Sequence, residues 1–261
     1  MKEIIEKHKI LKDFSYLPLV HTTKFSNAES ILSTKGLGPI KEDEVTNEDL
    51  LFFFYGRAVY TIHWRDAKKK PSYQVEALPM AFIFECEDVK PAHIFAFDSG
   101  GFNTEKYNST YIGACEVSDV HEFELDNYLN VKKMIDLCYK DNPNHNKNYS
   151  YYHEDSKDIG DFGDDVLNKY IICLNKGEDR KNKTPEISTL ERIPLNKCRA
   201  MVLPIEVKLE YEGWPSIEKL IETNNINVKF YYPAGYNSGN DLCKMVEEKM
   251  NQIVVEKGYL N

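Results

Sequence analysis

The chain has no apolar run approaching the roughly 18 residues that cross a bilayer, no C-x-x-C pair, no internal repeat and no excess of basic side chains. Each absence closes off a class of function. Without a spanning run, and with a charged opening stretch, MKEIIEKHKI, that reads as a helix rather than a signal peptide, the expectation is a cytoplasmic protein with no membrane partner. The six cysteines, Cys86, Cys115, Cys138, Cys173, Cys198 and Cys243, are scattered. That pattern suggests neither a zinc ribbon nor a disulfide framework, so they read as small buried apolar side chains. Cys138, His145 and His153 lie close enough for a partial metal site, but in so polar and Asn-rich a segment they are read as no site, and no metal is expected. With 33 basic against 42 acidic side chains the net charge is −9. That argues against gripping nucleic acid mainly by phosphate neutralisation, so any such contact must be local.

What is present is a length of 261 residues, enough for one large domain or two modest ones, and seventeen Tyr with thirteen Phe to fill a core or line a groove. LPLVHTTKF reads as a buried strand ending in polar residues, followed by SNAESILSTKGL, a short helix that Ser26 or Asn27 can cap and Gly36 can close. The acidic KEDEVTNEDL is loop-like and leads into LLFFFYGRAVYTIHW, extended structure around a Gly56-Arg57 step where glycine permits a bend. ALPMAFIFECE and AHIFAFD read as strands, the second broken by FDSGGFN, to which no chemical role is assigned. LDNYLNVKKMIDLCYK has helical spacing, DNPNHNKNYSYYHEDSKD reads as a mobile loop, and DDVLNKYIICLNK as a helix with Asp164 or Asp165 at its start. TPEIST, IPLNK and CRAMVLPIEV read as short β-rich runs. PSIEKLIETN then reads as a helix, INVKFYYP as a strand and GNDLCKMVEEKMNQIVVEKGYL as a long amphipathic helix. Strands dominate the middle without regular β-then-helix alternation, which predicts an α+β fold.

Three features fall in order: His21-Thr22-Thr23 at a strand end before a short helix, Arg57 in FFFYGRAVY, and Glu186 in TPEIST ahead of RIPLNKCRAMVLP. Read singly, His21 is as ordinary in a core or at a surface, Arg57 as ordinary in an ion pair, and the aromatics from Phe52 to Tyr55 as core. Together, over about the first sixty residues and Thr184 to Pro204, they resemble the DarT-like branch of the ADP-ribosyltransferases. The resemblance implies a split mixed β-sheet with flanking helices, a single domain over 1–261 with a mobile insertion at about 140–162, and NAD as co-substrate. It implies catalytic roles for Glu186, Arg57 and His21. It also implies NAD binding by His21, Thr22, Thr23 and Arg57, with Tyr60 or Tyr55 stacking on the nicotinamide.

Those residue types suit the chemistry. Breaking the bond from ribose C1 to nicotinamide passes through an oxocarbenium-like state, which a nearby carboxylate stabilises, and the same carboxylate can take the proton of the incoming nucleophile. Glu186 is the candidate, with Glu191 as its rival. Arginine suits a pyrophosphate through its planar fork, and histidine and threonine can bond ribose hydroxyls and the nicotinamide amide. In LNKGEDRKNKTPE, Lys176, Arg180, Lys181 and Lys183 form a local basic stretch, suited to a phosphate backbone although such runs are commonly solvated loops. The resemblance makes a nucleobase in single-stranded DNA or RNA the preferred acceptor, with Tyr151 and Tyr152 available for stacking, and implies a bacterial toxin or antiphage effector with a possible antitoxin partner. The alternatives are a protein-modifying transferase, an NAD glycohydrolase, or a non-enzymatic binding module.

Overall fold

A computed structural model describes residues 1–39, 43, 45–59, 77–100, 120–147, 165–176, 183–234 and 239–260. Among them the strands are β1 (Leu19–Lys24), β2 (Gly36–Leu37), β3 (Leu51–Tyr55), β4 (Pro79–Phe84), β5 (His93–Phe95), β6 (Glu186–Thr189), β7 (Ile193–Pro194), β8 (Ala200–Pro204) and β9 (Asn227–Tyr231). The helices are α1 (Lys2–Lys7), α2 (Ala28–Thr34), α3 (Tyr128–Tyr139), α4 (Asn142–Asn146), α5 (Asp165–Lys176), α6 (Ile205–Glu210), α7 (Trp214–Asn224) and α8 (Gly239–Glu256). Seven strands form one sheet in the order β5-β6-β3-β1-β4-β8-β9, antiparallel at every junction except the parallel β8–β9 pair. The fold is α+β with a mixed sheet. β2 and β7 pair separately.

The sheet parts at its centre. β1 pairs with β4 through six residues, from Leu19 opposite Phe84 to Lys24 opposite Pro79. With β3 it pairs only at Leu19–Tyr55 and Val20–Phe54. Beyond that point β3 stays with β6, from Phe54 opposite Glu186 to Leu51 opposite Thr189, so β1 and β3 separate just where His21 begins.

Helices cover the sheet and explain its composition. β4 is buried at all six positions, as expected of an inner strand covered on both sides. Ala28, Ile31 and Leu32 of α2 and Ile217 and Leu220 of α7 meet Met80, Phe82, Met201 and Leu203. α8 packs on β4, β8 and β9 and buries Leu242, Val246, Met250 and Ile253, a stripe at helical spacing. Each such aliphatic side chain contributes about 1.5–3 kcal/mol on burial.

Several local expectations are corrected. The stretch from Asp141, read as loop, begins with helix α4: Asp141 caps it by accepting from the Asn144 amide at 2.8 Å, and Pro143 sits in its first turn. Asn142 and His145 are buried in it, and Asn142 donates to the carbonyls of Ser15 and Tyr259. Residues 148–162 of that stretch lie outside the described set. CRAMVLPIEV is not one strand: β8 stops at Pro204, which starts α6. Asn27 stands at the start of α2, but its amide donates to Thr23 Oγ1 at 2.6 Å instead of capping. Lys35, with φ of 51°, takes the left-handed position closing α2. Gly36 serves close approach instead, since a Cβ there would lie 2.8 Å from the Ile193 carbonyl oxygen.

Cys86, Cys138 and Cys198 are buried and Cys243 is half-buried. Cys115 lies outside the described residues. Among the described residues no group of three His, Cys, Asp or Glu is placed to hold a metal ion, and His153 is outside them. No described helix is long and apolar enough to cross a membrane.

Candidate active site

Glu186 opens β6 between Phe54 of β3 and Phe95 of β5 and is 4% exposed. Its Oε1 accepts from Ser99 Oγ at 2.5 Å and from the Ser99 amide at 3.3 Å. Burial pushes its carboxyl up to about 8, and the charge of Asp98 pushes the same way; the Ser99 bonds oppose this and Asp43 adds to it. At neutral pH the group therefore holds a proton.

Arg57 approaches the start of β6 from the end of β3. Gly56, at φ of +74°, turns the chain off β3 against Leu17, where a Cβ would lie 2.5 Å from Cδ1. The bend expected at this glycine is thus present. It sends the Arg57 side chain inward, 1% exposed, where Nη1 donates to Thr184 Oγ1 at 3.2 Å. Thr184 stands two residues before Glu186. Thr22 steadies the segment that follows, donating to the Val59 carbonyl at 2.6 Å.

The guanidinium's field is visible on its neighbours. Burial and Arg57 hold His145 well below the ordinary imidazole value, so this ring, which contacts Tyr139 and Tyr55, is neutral. Burial and Arg57 also lower the Lys183 ammonium. Within four residues, Lys183 to Glu186, the chain thus passes from a positive neighbourhood to one whose carboxyl is crowded by Asp98 and Asp43.

His21 is elsewhere. Cross-strand partners share a face and successive residues alternate. The register Glu186–Phe54–Val20 therefore puts Glu186 on one face and His21, the residue after Val20, on the other. His21 packs against Phe53 and Phe82, and its Nδ1 lies 2.8 Å from the Phe52 carbonyl. A carbonyl only accepts, so Nδ1 donates and Nε2 is the acceptor of the neutral ring. Burial lowers this imidazole's pKa, which keeps it neutral.

With Thr23, Asn27, Ser30, Thr34, Leu51 and Arg192, His21 lines a cavity of about 120 Å³ where β1 and β3 part. The expectation that His21, Arg57 and Glu186 converge on one point is therefore corrected. Arg57 bonds Thr184, two residues before Glu186, while His21 and Thr23 face the cavity on the other face of the sheet. Thr22 is on the Glu186 side.

Tyr55 is also corrected as a stacking residue: it is fully buried and its hydroxyl accepts from the Leu17 amide at 3.0 Å. Phe54, half-buried, stands directly opposite Glu186. Glu191, the rival carboxylate, is exposed beyond the end of β6. Of the basic stretch, Lys183 is half-buried beside Arg57, as above. Tyr60, Tyr151, Tyr152, Arg180 and Lys181 lie outside the described residues. Sequence reading missed Ser99 and Asp98, although FDSGG was singled out as a break, and Arg192, whose Nη1 donates to the Gly36 carbonyl at 3.3 Å. Arg192 is brought to the cavity by β2–β7 pairing, which two-residue strands do not announce.

No family model matches the chain, and no curated protein matches it. Among solved structures it is similar to Thermus sp. 2.9 DarT in complex with NAD+, at 11% sequence identity and a TM-score of 0.35, over 82% of this chain and 97% of that one.

Proposed function

We propose that this protein is an NAD-dependent mono-ADP-ribosyltransferase whose acceptor is a nucleobase in single-stranded DNA or RNA, serving as a bacterial toxin or antiphage effector with an antitoxin as its natural inhibitor. The observation that carries the reading is the paired polarity at the start of β6. Lys183 and Arg57 form an electropositive neighbourhood, and two residues beyond Thr184 stands a buried carboxyl with acidic neighbours. NAD has the matching charges, an anionic pyrophosphate and a cationic nicotinamide ring.

In this reading Arg57 and Lys183 receive the pyrophosphate, and Phe54 lies under the nicotinamide. The arriving pyridinium is a cation beside Glu186, which lowers its pKa and releases the proton. The carboxylate then faces ribose C1 as the C1–N bond breaks. The bonding pair leaves with nicotinamide, which becomes neutral, and the developing positive charge on the ribose is stabilised. An acceptor base attacks C1 and its proton passes to Glu186. His21 Nε2, Thr23 and Arg192 hold the far end of the dinucleotide through the opening between β1 and β3.

Incubation with NAD labelled in the adenylate tests the scheme. Label in an oligonucleotide is the expected result. Label in protein, or only free ADP-ribose, replaces the nucleic-acid acceptor by a side chain or water, and no NAD turnover overturns the enzyme reading.

A further inference from the structure

We infer that Ser99 is the positioning residue for the Glu186 carboxyl, fixing Oε1 so that Oε2 alone is presented to the reacting carbon and to the acceptor's proton. The inference rests on the proposed role of Glu186. It deepens that role by giving a task to the Asp98-Ser99-Gly100 segment, whose sequence suggests only a strand break.

The geometry is specific. Ser99 directs both of its donors, Oγ at 2.5 Å and the backbone amide at 3.3 Å, to the same oxygen. A hydroxyl alone is replaceable by solvent, but Ser99 is 1% exposed and Glu186 4% exposed, so water does not stand in for it. The carboxyl is walled on its own sheet by Phe54 and Phe95, neither of which donates a hydrogen bond. The titratable groups acting on it are Asp98, the residue before Ser99, and Asp43 from the segment before β3, and both are acids. Of these influences only Ser99 favours the ionised form the chemistry needs. It also locks the rotamer, since a carboxylate held at one oxygen by two donors cannot swing away from the substrate.

The test separates positioning from simple structural support. Ser99→Ala, and the nearly isosteric weak donor Ser99→Cys, are compared with wild type by carboxyl-stretch infrared titration of the enzyme without NAD, with Glu186→Gln identifying the band. The expected result is an upward shift of the Glu186 midpoint by about one unit, the size for loss of a hydrogen bond to a charged group. In the NAD assay the expected result is a kcat reduced about tenfold or more with little change in KM, and an acidic limb of kcat/KM displaced to higher pH. Ser99→Thr, which keeps the hydroxyl, restores both. An unshifted midpoint in Ser99→Ala and Ser99→Cys overturns the inference whatever their rates, as does a Ser99→Thr enzyme that titrates like Ser99→Ala. Because the titration needs no turnover, it stands even if wild type fails to consume NAD, so failure of the functional reading and failure of this inference are told apart.

Discussion

His21 and Glu186 stand in adjacent residue rows of one sheet, and burial drives them in opposite directions. The imidazole loses its proton and the carboxyl keeps one. The rule is the same in both cases, that a low-dielectric site disfavours the charged form, but the two faces differ in what they offer a ligand. The His21 side offers a neutral acceptor, hydroxyls and one guanidinium, a set suited to ribose hydroxyls and phosphate. The Glu186 side offers a buried carboxyl with its pKa raised to about 8, which a cation placed beside it would lower. In the proposed scheme one side recognises and the other responds, so substitutions on the two faces should separate KM from kcat.

The largest effect is expected at Glu186. In the proposed scheme Glu186→Gln removes charge stabilisation realised only in the transition state and should lower kcat by about a thousandfold, with NAD affinity within about threefold of wild type. Glu191→Gln, at an exposed position, should leave both unchanged; reversal of the two results moves the catalytic carboxylate to Glu191. If the protein is a toxin, inducing the wild-type gene arrests growth and inducing the Glu186→Gln gene does not. Next comes the other face: His21→Gln should raise KM for NAD about tenfold and change kcat little, because the imidazole is across the sheet from the reacting bond. A kcat loss matching that of Glu186→Gln would mean that the faces act as one. The pH profile follows with its sign fixed by the raised Glu186 pKa. In the free enzyme kcat/KM should rise as pH climbs through about 8, and the corresponding kcat limb should lie lower, since bound NAD brings a cation beside the carboxyl.

The contrast also explains what could be read without coordinates. β1, β3 and β4 announce themselves because apolar residues run through or into them, and the Gly56-Arg57 step is readable because a bend needs glycine. Glu186 and Arg57 could be nominated as residue types in order, but the placing of Arg57 beside the start of β6 depends on Thr184, a small polar residue with no signature. Opposed faces for His21 and Glu186 follow from registers across two strand pairs, and register is set by tertiary packing. α4 was hidden for a related reason: Asn142 and His145 look like loop residues, yet each is buried against backbone carbonyls. Ser99 was hidden because its partner lies 87 residues away.

A third histidine shows the opposite outcome of the same electrostatics and gives the smallest predicted effect. His93 of β5 has Nδ1 2.9 Å from Glu124 Oε1 and Nε2 2.8 Å from Glu48 Oε2. Carboxylate oxygens accept, so both ring nitrogens donate and the ring is an imidazolium. Burial lowers its pKa, but the two acids outweigh burial and raise it above the ordinary value. This clasp ties β5 to Glu48, whose carbonyl accepts from the Asp43 amide at 2.7 Å, and Asp43 in turn acts on Glu186. A histidine whose folded-state pKa is raised contributes stability that is fully present below about 6.5 and is lost as pH climbs through the folded-state value. His93→Gln should therefore lower the thermal midpoint by about 3 °C near pH 5.5, the scale of roughly 1 kcal/mol in a domain of this size, and by clearly less near pH 9. Equal losses at both pH values would mean that His93 acts by packing alone, and the contrast among the three histidines would then rest on His21 and His145.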